Sequence, residues 1–212
     1  MKTVPWQLRK GRNTDIKLRM VRSALQDAGA QSVIDIGCNA GGVTRGLGAA
    51  GLLGSAWVHL LVWGLGAVGM FAVGIEQDLA NLPVVGEALQ GACLGNLRFS
   101  NEVVERMPAF DAALLLSVHH HFIRELGHEE AKALIRALGA KIRRIIIFEV
   151  SSKSREYGAE PNALFADEDE ASVIAFTRNW LQDALPHWKV EHVWTNLRRP
   201  RLSNRYLVTC SR

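Results

Sequence analysis

Short, almost purely apolar runs alternate along this chain with longer stretches in which apolar residues recur every three or four positions. Residues 32–36, the run Ser-Val-Ile-Asp-Ile, stop at Gly37; residues 71–75, 97–100, 111–117 and 144–150 read the same way, the last around Ile145-Ile146-Ile147-Phe148. Apolar runs of this length bounded by glycine or polar residues predict strands buried on both faces. Between them, helical spacing predicts a helix over 15–28, with Ile16, Met20, Ala24 and Leu25 along one side and Asn13 or Thr14 as its cap. Further helices are expected from Asn39 onward, over 129–138 and over 167–185, where acidic residues open the helix and suit its dipole. Residues 189–195 and 205–210 predict two closing strands, too close in sequence for a helix between them and therefore antiparallel to each other. Strand–helix alternation of this kind implies a mostly parallel sheet covered on both faces.

One stretch departs from the alternation. Residues 46–75 contain no Asp, Glu, Lys or Arg. That is long enough to span a bilayer. It also holds eight glycines and lies between two loops expected to share one ligand, which a spanning helix would separate. The expectation is a buried helix, an extra apolar helix inserted at about 50–69, and then a strand. Trp57, Val58, Leu60, Leu61, Val62, Trp63 and Leu65 ring the inserted helix, and a helix apolar all round needs a cover. Its own domain or a second copy in a homodimer is preferred; peripheral membrane contact is the alternative.

The chemistry-bearing residues fall at the ends of the apolar runs. Val33-Ile34-Asp35-Ile36-Gly37-Cys38-Asn39-Ala40-Gly41-Gly42 takes a strand through an acidic residue into a glycine-containing loop that opens a helix. Glycine permits positive φ and close approach of backbone to a ligand, and a helix N-terminus offers free N–H groups. The loop lacks the second glycine of the dinucleotide GxGxxG fingerprint, which disfavours a nicotinamide oxidoreductase. Glu76 ends the second run, where a carboxylate can accept both hydroxyls of a ribose, while Asp78 suits a helix cap. Asn101 follows the third run as a turn or ligand residue, and Ser117 ends the fourth, followed by Val118-His119-His120-His121. Consecutive residues diverge on a strand or helix, so the three histidines cannot converge on one metal, and no metal site is expected. His120 is the preferred candidate for a general base or an acceptor-orienting group. Glu149 ends the fifth run and is the second candidate base, with an ion pair as its structural alternative.

Taken together, these segments resemble class I S-adenosylmethionine-dependent methyltransferases, in correct order over about residues 32–149. The resemblance implies a three-layer Rossmann-like α/β sandwich with a mostly parallel seven-stranded sheet and an antiparallel last strand, formed by residues 1–212 as one domain. It implies S-adenosylmethionine as cofactor, held by Asp35, Gly37, Asn39, Gly41, Glu76, Asn101 and Ser117, with His120 and Glu149 as catalytic candidates. The distance from Gly41 to Glu76 exceeds the family's usual spacing, and the apolar insertion accounts for it. A narrower likeness, carried by residues 116–120, 145–149 and Tyr157-Gly158, is to methyltransferases that cap bacterial O-antigen polysaccharides, and the DIGCN loop is similar to that of RNA cap-phosphate methyltransferases. Both point to an oxygen acceptor, a sugar hydroxyl or phosphate of a glycan, glycolipid or small molecule.

Charge adds one preference. The chain carries 25 Lys and Arg against 21 Asp and Glu, with Arg198, Arg199, Arg201, Arg205 and Arg212 crowded at one end. A basic surface suits an anionic acceptor, or is simply solvated. RNA methylation is the runner-up, weakened by an aromatic content of 7% and the absence of an appended RNA-binding module. A non-catalytic interaction or membrane-associated module built on the cofactor fold is the third reading. Cys38, Cys93 and Cys210 form neither a disulfide framework nor a zinc motif, and a cytoplasmic setting is expected.

Overall fold

The computed structural model describes residues 12–37, 71–76, 93–96, 99–196 and 204–212. Asn39, Gly41 and the expected inserted helix at 50–69 lie outside them, as do Arg198, Arg199 and Arg201. The chain divides into two compact units, Met1–Phe99 with Phe110–Leu114, and Ser100–Ala109 with Leu115–Arg212. Seven strands and five α-helices occur among the described residues.

In the first unit, helix α1 (Arg12–Asp27) precedes strand β1 (Ser32–Ile36). Strand β2 (Phe71–Glu76) pairs with β1 in parallel, and β3 (Cys93–Asn96) pairs with β2 in parallel. The other edge of β1 takes β4 (Phe110–Leu116), again in parallel, with Val33 opposite Ala112. A reciprocal clamp sets this register. The Asp111 carboxylate accepts from the backbone N–H of Gln31 at 3.0 Å and of Ser32 at 3.2 Å. The Asp111 N–H in turn donates to Ser32 Oγ at 2.9 Å. β4 starts here and its last residues, Leu115 and Leu116, belong to the second unit.

The second unit opens with the short helix α2 (Asn101–Arg106). After β4 come α3 (His119–Leu126) and α4 (His128–Lys141), separated by Gly127 at φ 82°, a conformation glycine adopts without cost. Ala131, Leu134, Ile135 and Leu138 form the buried stripe of α4 at helical spacing. Strand β5 (Ile142–Ser151) follows, then a 3₁₀ turn (Ser154–Tyr157) and α5 (Glu170–Ala184). Asp169 caps α5, accepting from Ser172 N–H at 2.9 Å. The chain closes with β6 (Lys189–Asn196) and β7 (Arg205–Ser211), and β7 lies antiparallel between β5 and β6.

Three expectations change. The third strand is Cys93–Asn96 rather than 97–100, because Ser100 acts as a helix cap: its Oγ accepts from Val103 N–H at 3.4 Å. Asn101 is therefore the exposed first residue of a helix, not the residue after a strand. The histidine run, to which the sequence pattern assigned no element of its own, begins helix α3. No helix among the described residues is long and apolar enough to cross a membrane.

Candidate active site

The first unit sets two of the expected residues at neighbouring strand ends. Asp35 is 2% exposed, and Gly37 leaves β1 at φ 71°. The parallel register places Asp35 beside Gly74 and Ile36 beside Ile75, so Gly37 and Glu76 occupy adjacent carboxyl ends. On the far side Glu76 is level with Asn96 of β3. A glycine in the left-handed region, next to the end of a strand that finishes in a carboxylate, is a fitting frame for a polar ligand with a sugar hydroxyl pair.

In the second unit, Ser117 follows β4 at φ 62°, one of three non-glycine residues with positive φ among those described. Its N–H donates to the Glu149 carbonyl at 3.2 Å, and its hydroxyl donates to Glu149 Oε2. Glu149 is 0% exposed. The two expected residues Ser117 and Glu149 are thus brought into direct contact.

The three histidines diverge as helical geometry requires. His119 is fully buried in an aromatic cage, its ring 4.5 Å from Trp180, 5.7 Å from Phe148 and 5.8 Å from Tyr157, all edge-to-face. Neither ring nitrogen has a hydrogen-bond partner. Burial, helped by His128, drives its pKa down to about 3. His120 is 4% exposed, with Nε2 3.6 Å from Glu156 Oε2. Its pKa also falls to about 3, chiefly by burial, then through Arg205 and His121, against the opposing pull of Glu156. His121 is half-buried, its Nδ1 2.7 Å from Arg124 Nη2, and burial followed by Arg124 lowers its pKa. All three rings are neutral at physiological pH.

Sequence reading missed Glu156 and the role of Arg205. Arg205 Nη1 pairs with Glu156 Oε2 at 2.6 Å, and its side chain is 11% exposed. This arginine had been grouped with the solvated basic end of the chain; it is instead a buried partner at the start of β7. An arginine opening an otherwise apolar strand was the available signal, but its partner lies far away in sequence. Arg212 is likewise engaged, donating to the Gly139 carbonyl at 3.0 Å and stacking 4.7 Å over Trp188. Tyr157 braces the end of β5: its hydroxyl accepts from Ser151 N–H at 3.2 Å and donates to Ser151 O at 3.3 Å, and burial raises its pKa. Among the described residues, no group of three His, Cys, Asp or Glu side chains is arranged to hold a metal ion.

No family model and no curated protein matches this chain. Solved structures do. WbdD, a bifunctional kinase-methyltransferase, matches with TM-score 0.61 and 18% identity over 94% of this chain and 40% of that one. A second WbdD structure, with its C-terminal bundle ordered, gives 0.66 and 19% over 99% of this chain and 38% of that one. The chain therefore spans about two fifths of the WbdD structures it matches. Magnesium protoporphyrin IX methyltransferase (ChlM) from Synechocystis PCC 6803, with bound SAH, gives 0.60 and 16% over 100% of this chain and 90% of that one. The N-terminal domain of EvdMO1, also with SAH, gives 0.54 and 17% over 95% and 82%. At these identities the likeness is one of fold: a mixed α/β sheet with helices, shared with S-adenosylmethionine-dependent methyltransferases.

Proposed function

We propose that this chain is an S-adenosylmethionine-dependent methyltransferase acting on a polar oxygen acceptor, with residues 1–212 working as one Rossmann-like domain around a single seven-stranded sheet. The observation that carries the proposal is the pair of adjacent strand ends at Gly37 and Glu76, in a fold whose solved neighbours hold SAM or SAH. In this reading the loop from Asp35 through Gly37, Asn39 and Gly41 takes the methionine end of the cofactor. Glu76 takes the ribose hydroxyls, Asn101 stands toward the adenine, and Ser117 lines the cleft.

When bound, the cofactor supplies an already activated methyl group on a sulfonium. The protein's own task is then alignment, exclusion of water and, for some acceptors, proton removal. A histidine held near pKa 3 is a weak base. His120 accordingly suits orienting an acceptor oxygen better than storing its proton. An acceptor already deprotonated at neutral pH, such as a phosphate of a glycan or glycolipid, needs no base at all, and this favours an anionic acceptor over a sugar hydroxyl.

Titration calorimetry with S-adenosylmethionine and S-adenosylhomocysteine, on the wild type and on Glu76→Ala, tests the cofactor site. The expected result is saturable binding that Glu76→Ala weakens by about tenfold or more, the loss of a charge-assisted hydrogen-bond pair. A folded wild-type protein that binds neither ligand overturns the reading. With binding in hand, phosphorylated glycans head the acceptor screen.

A further inference from the structure

Glu149 stands where a general base is expected, but its surroundings give it a different task. Its side chain is completely shielded from solvent and already engaged by a neighbouring hydroxyl. It is joined to Ser117 twice, main chain to main chain at 3.2 Å and side chain to side chain through the serine hydroxyl. Ser117 needs such an anchor. At φ 62° a residue bearing a Cβ is strained, and strained residues persist where the surroundings over-determine them. The turn held this way delivers the chain directly into α3: Val118 is its N-cap, without any side-chain cap, and the N–H groups of His121 and Phe122 return to the Val118 carbonyl. The conformation of Ser117 therefore sets the entry angle of the helix that carries His119, His120 and His121.

We propose that Glu149 is a positioning residue that latches Ser117 in its left-handed turn, and that it acts on the reaction only through that turn. The proposal rests on the methyltransferase reading for its effect on ligand affinity, but the latch itself is independent of it.

The test compares Ser117→Gly in two backgrounds. Glycine adopts positive φ freely. In the wild type, Ser117→Gly removes a donor from a buried carboxylate and lowers Tm. In a Glu149→Ala background there is no carboxylate left to satisfy, only strain to relieve, and Ser117→Gly raises Tm by about 2–4 °C. The sign of one substitution thus reverses with the residue at 149. Calorimetry with S-adenosylhomocysteine on the same proteins reads the functional consequence. Glu149→Gln keeps an oxygen that accepts from Ser117 and retains wild-type affinity; Glu149→Ala weakens it by about tenfold, and adding Ser117→Gly recovers most of the loss. A general base would show another pattern, with affinity indifferent to every Glu149 substitution. That indifference, or a Ser117→Gly effect of the same sign in both backgrounds, overturns the proposal. If the wild type binds no S-adenosylhomocysteine, the methyltransferase reading fails, and the melting comparison alone decides the latch.

Discussion

Two strands of this chain end in the same left-handed turn and use different residues to make it. After β1 the turn is Gly37, at φ 71°; after β4 it is Ser117, at φ 62°. Glycine makes the turn without strain and leaves the backbone bare, which suits a place where a ligand approaches the main chain. Serine makes it at a cost of about 1–2 kcal/mol and retains a hydroxyl, which here reaches across to Glu149 on β5. The first solution gives access. The second gives coupling, since the geometry at the end of one strand depends on a side chain from another.

The strongest challenge to this contrast is Ser117→Val. It combines a β-branched residue at positive φ with loss of the donor to a buried carboxylate, and should lower stability by about 3 kcal/mol. Urea denaturation with an unchanged m-value measures it; a cost under 1 kcal/mol would mean that Ser117 is not pinned.

Acid should separate the two regions next. The described residues of the first unit hold no histidine, whereas the β4 end holds three in succession. His119 and His120 have folded pKa values of about 3 against about 6.5 in an unfolded chain. Below pH 6.5 the unfolded state binds more protons, so stability is complete above that pH and is lost progressively as pH falls toward 3. For His119 alone the loss by pH 5 is up to roughly 2 kcal/mol. His119→Phe should flatten this slope and leave neutral-pH stability no lower, because two ring nitrogens without partners are removed. Melting curves between pH 5 and 8 provide the check, and an unaltered slope in His119→Phe would refute the assignment.

The smallest effect sharpens the glycine side. Gly37→Ala should cost about 1 kcal/mol, and Gly37→Asn less, because asparagine tolerates the left-handed region. If both cost nothing, the Gly37 turn relaxes easily and glycine is there for ligand access alone.

Much of this was legible before any coordinates. β1, β4 and β5 carry runs whose apolar character survives on both faces, and their expected bounds fall within two residues of those found. The third strand was not legible: Cys93-Leu94-Gly95-Asn96 is short and contains glycine, while the residues after it look more strand-like than they are. Ser100 could have signalled a helix, since serine there precedes Asn101 and Glu102 at cap spacing. At the site, the residues at strand ends were visible because a strand's end is a local feature. The Ser117–Glu149 bond and the His120–Glu156–Arg205 cluster were not, because each joins residues distant in sequence, and only the strand order brings them together.

Trp180 links several of these features. It is 4% exposed, its indole N–H donates to His128 Nδ1 at 3.1 Å, and its ring meets His119 edge-on. An excited indole is quenched by a protonated imidazole in contact with it, and an indole N–H held in a hydrogen bond emits at a position that shifts when the bond breaks. The helix pair α4 and α5 thus carries its own optical probe. The emission of Trp180, isolated by replacing the other tryptophans with phenylalanine, should change sharply when the aromatic cage around His119 opens. That makes opening of the cage observable in real time, without any label.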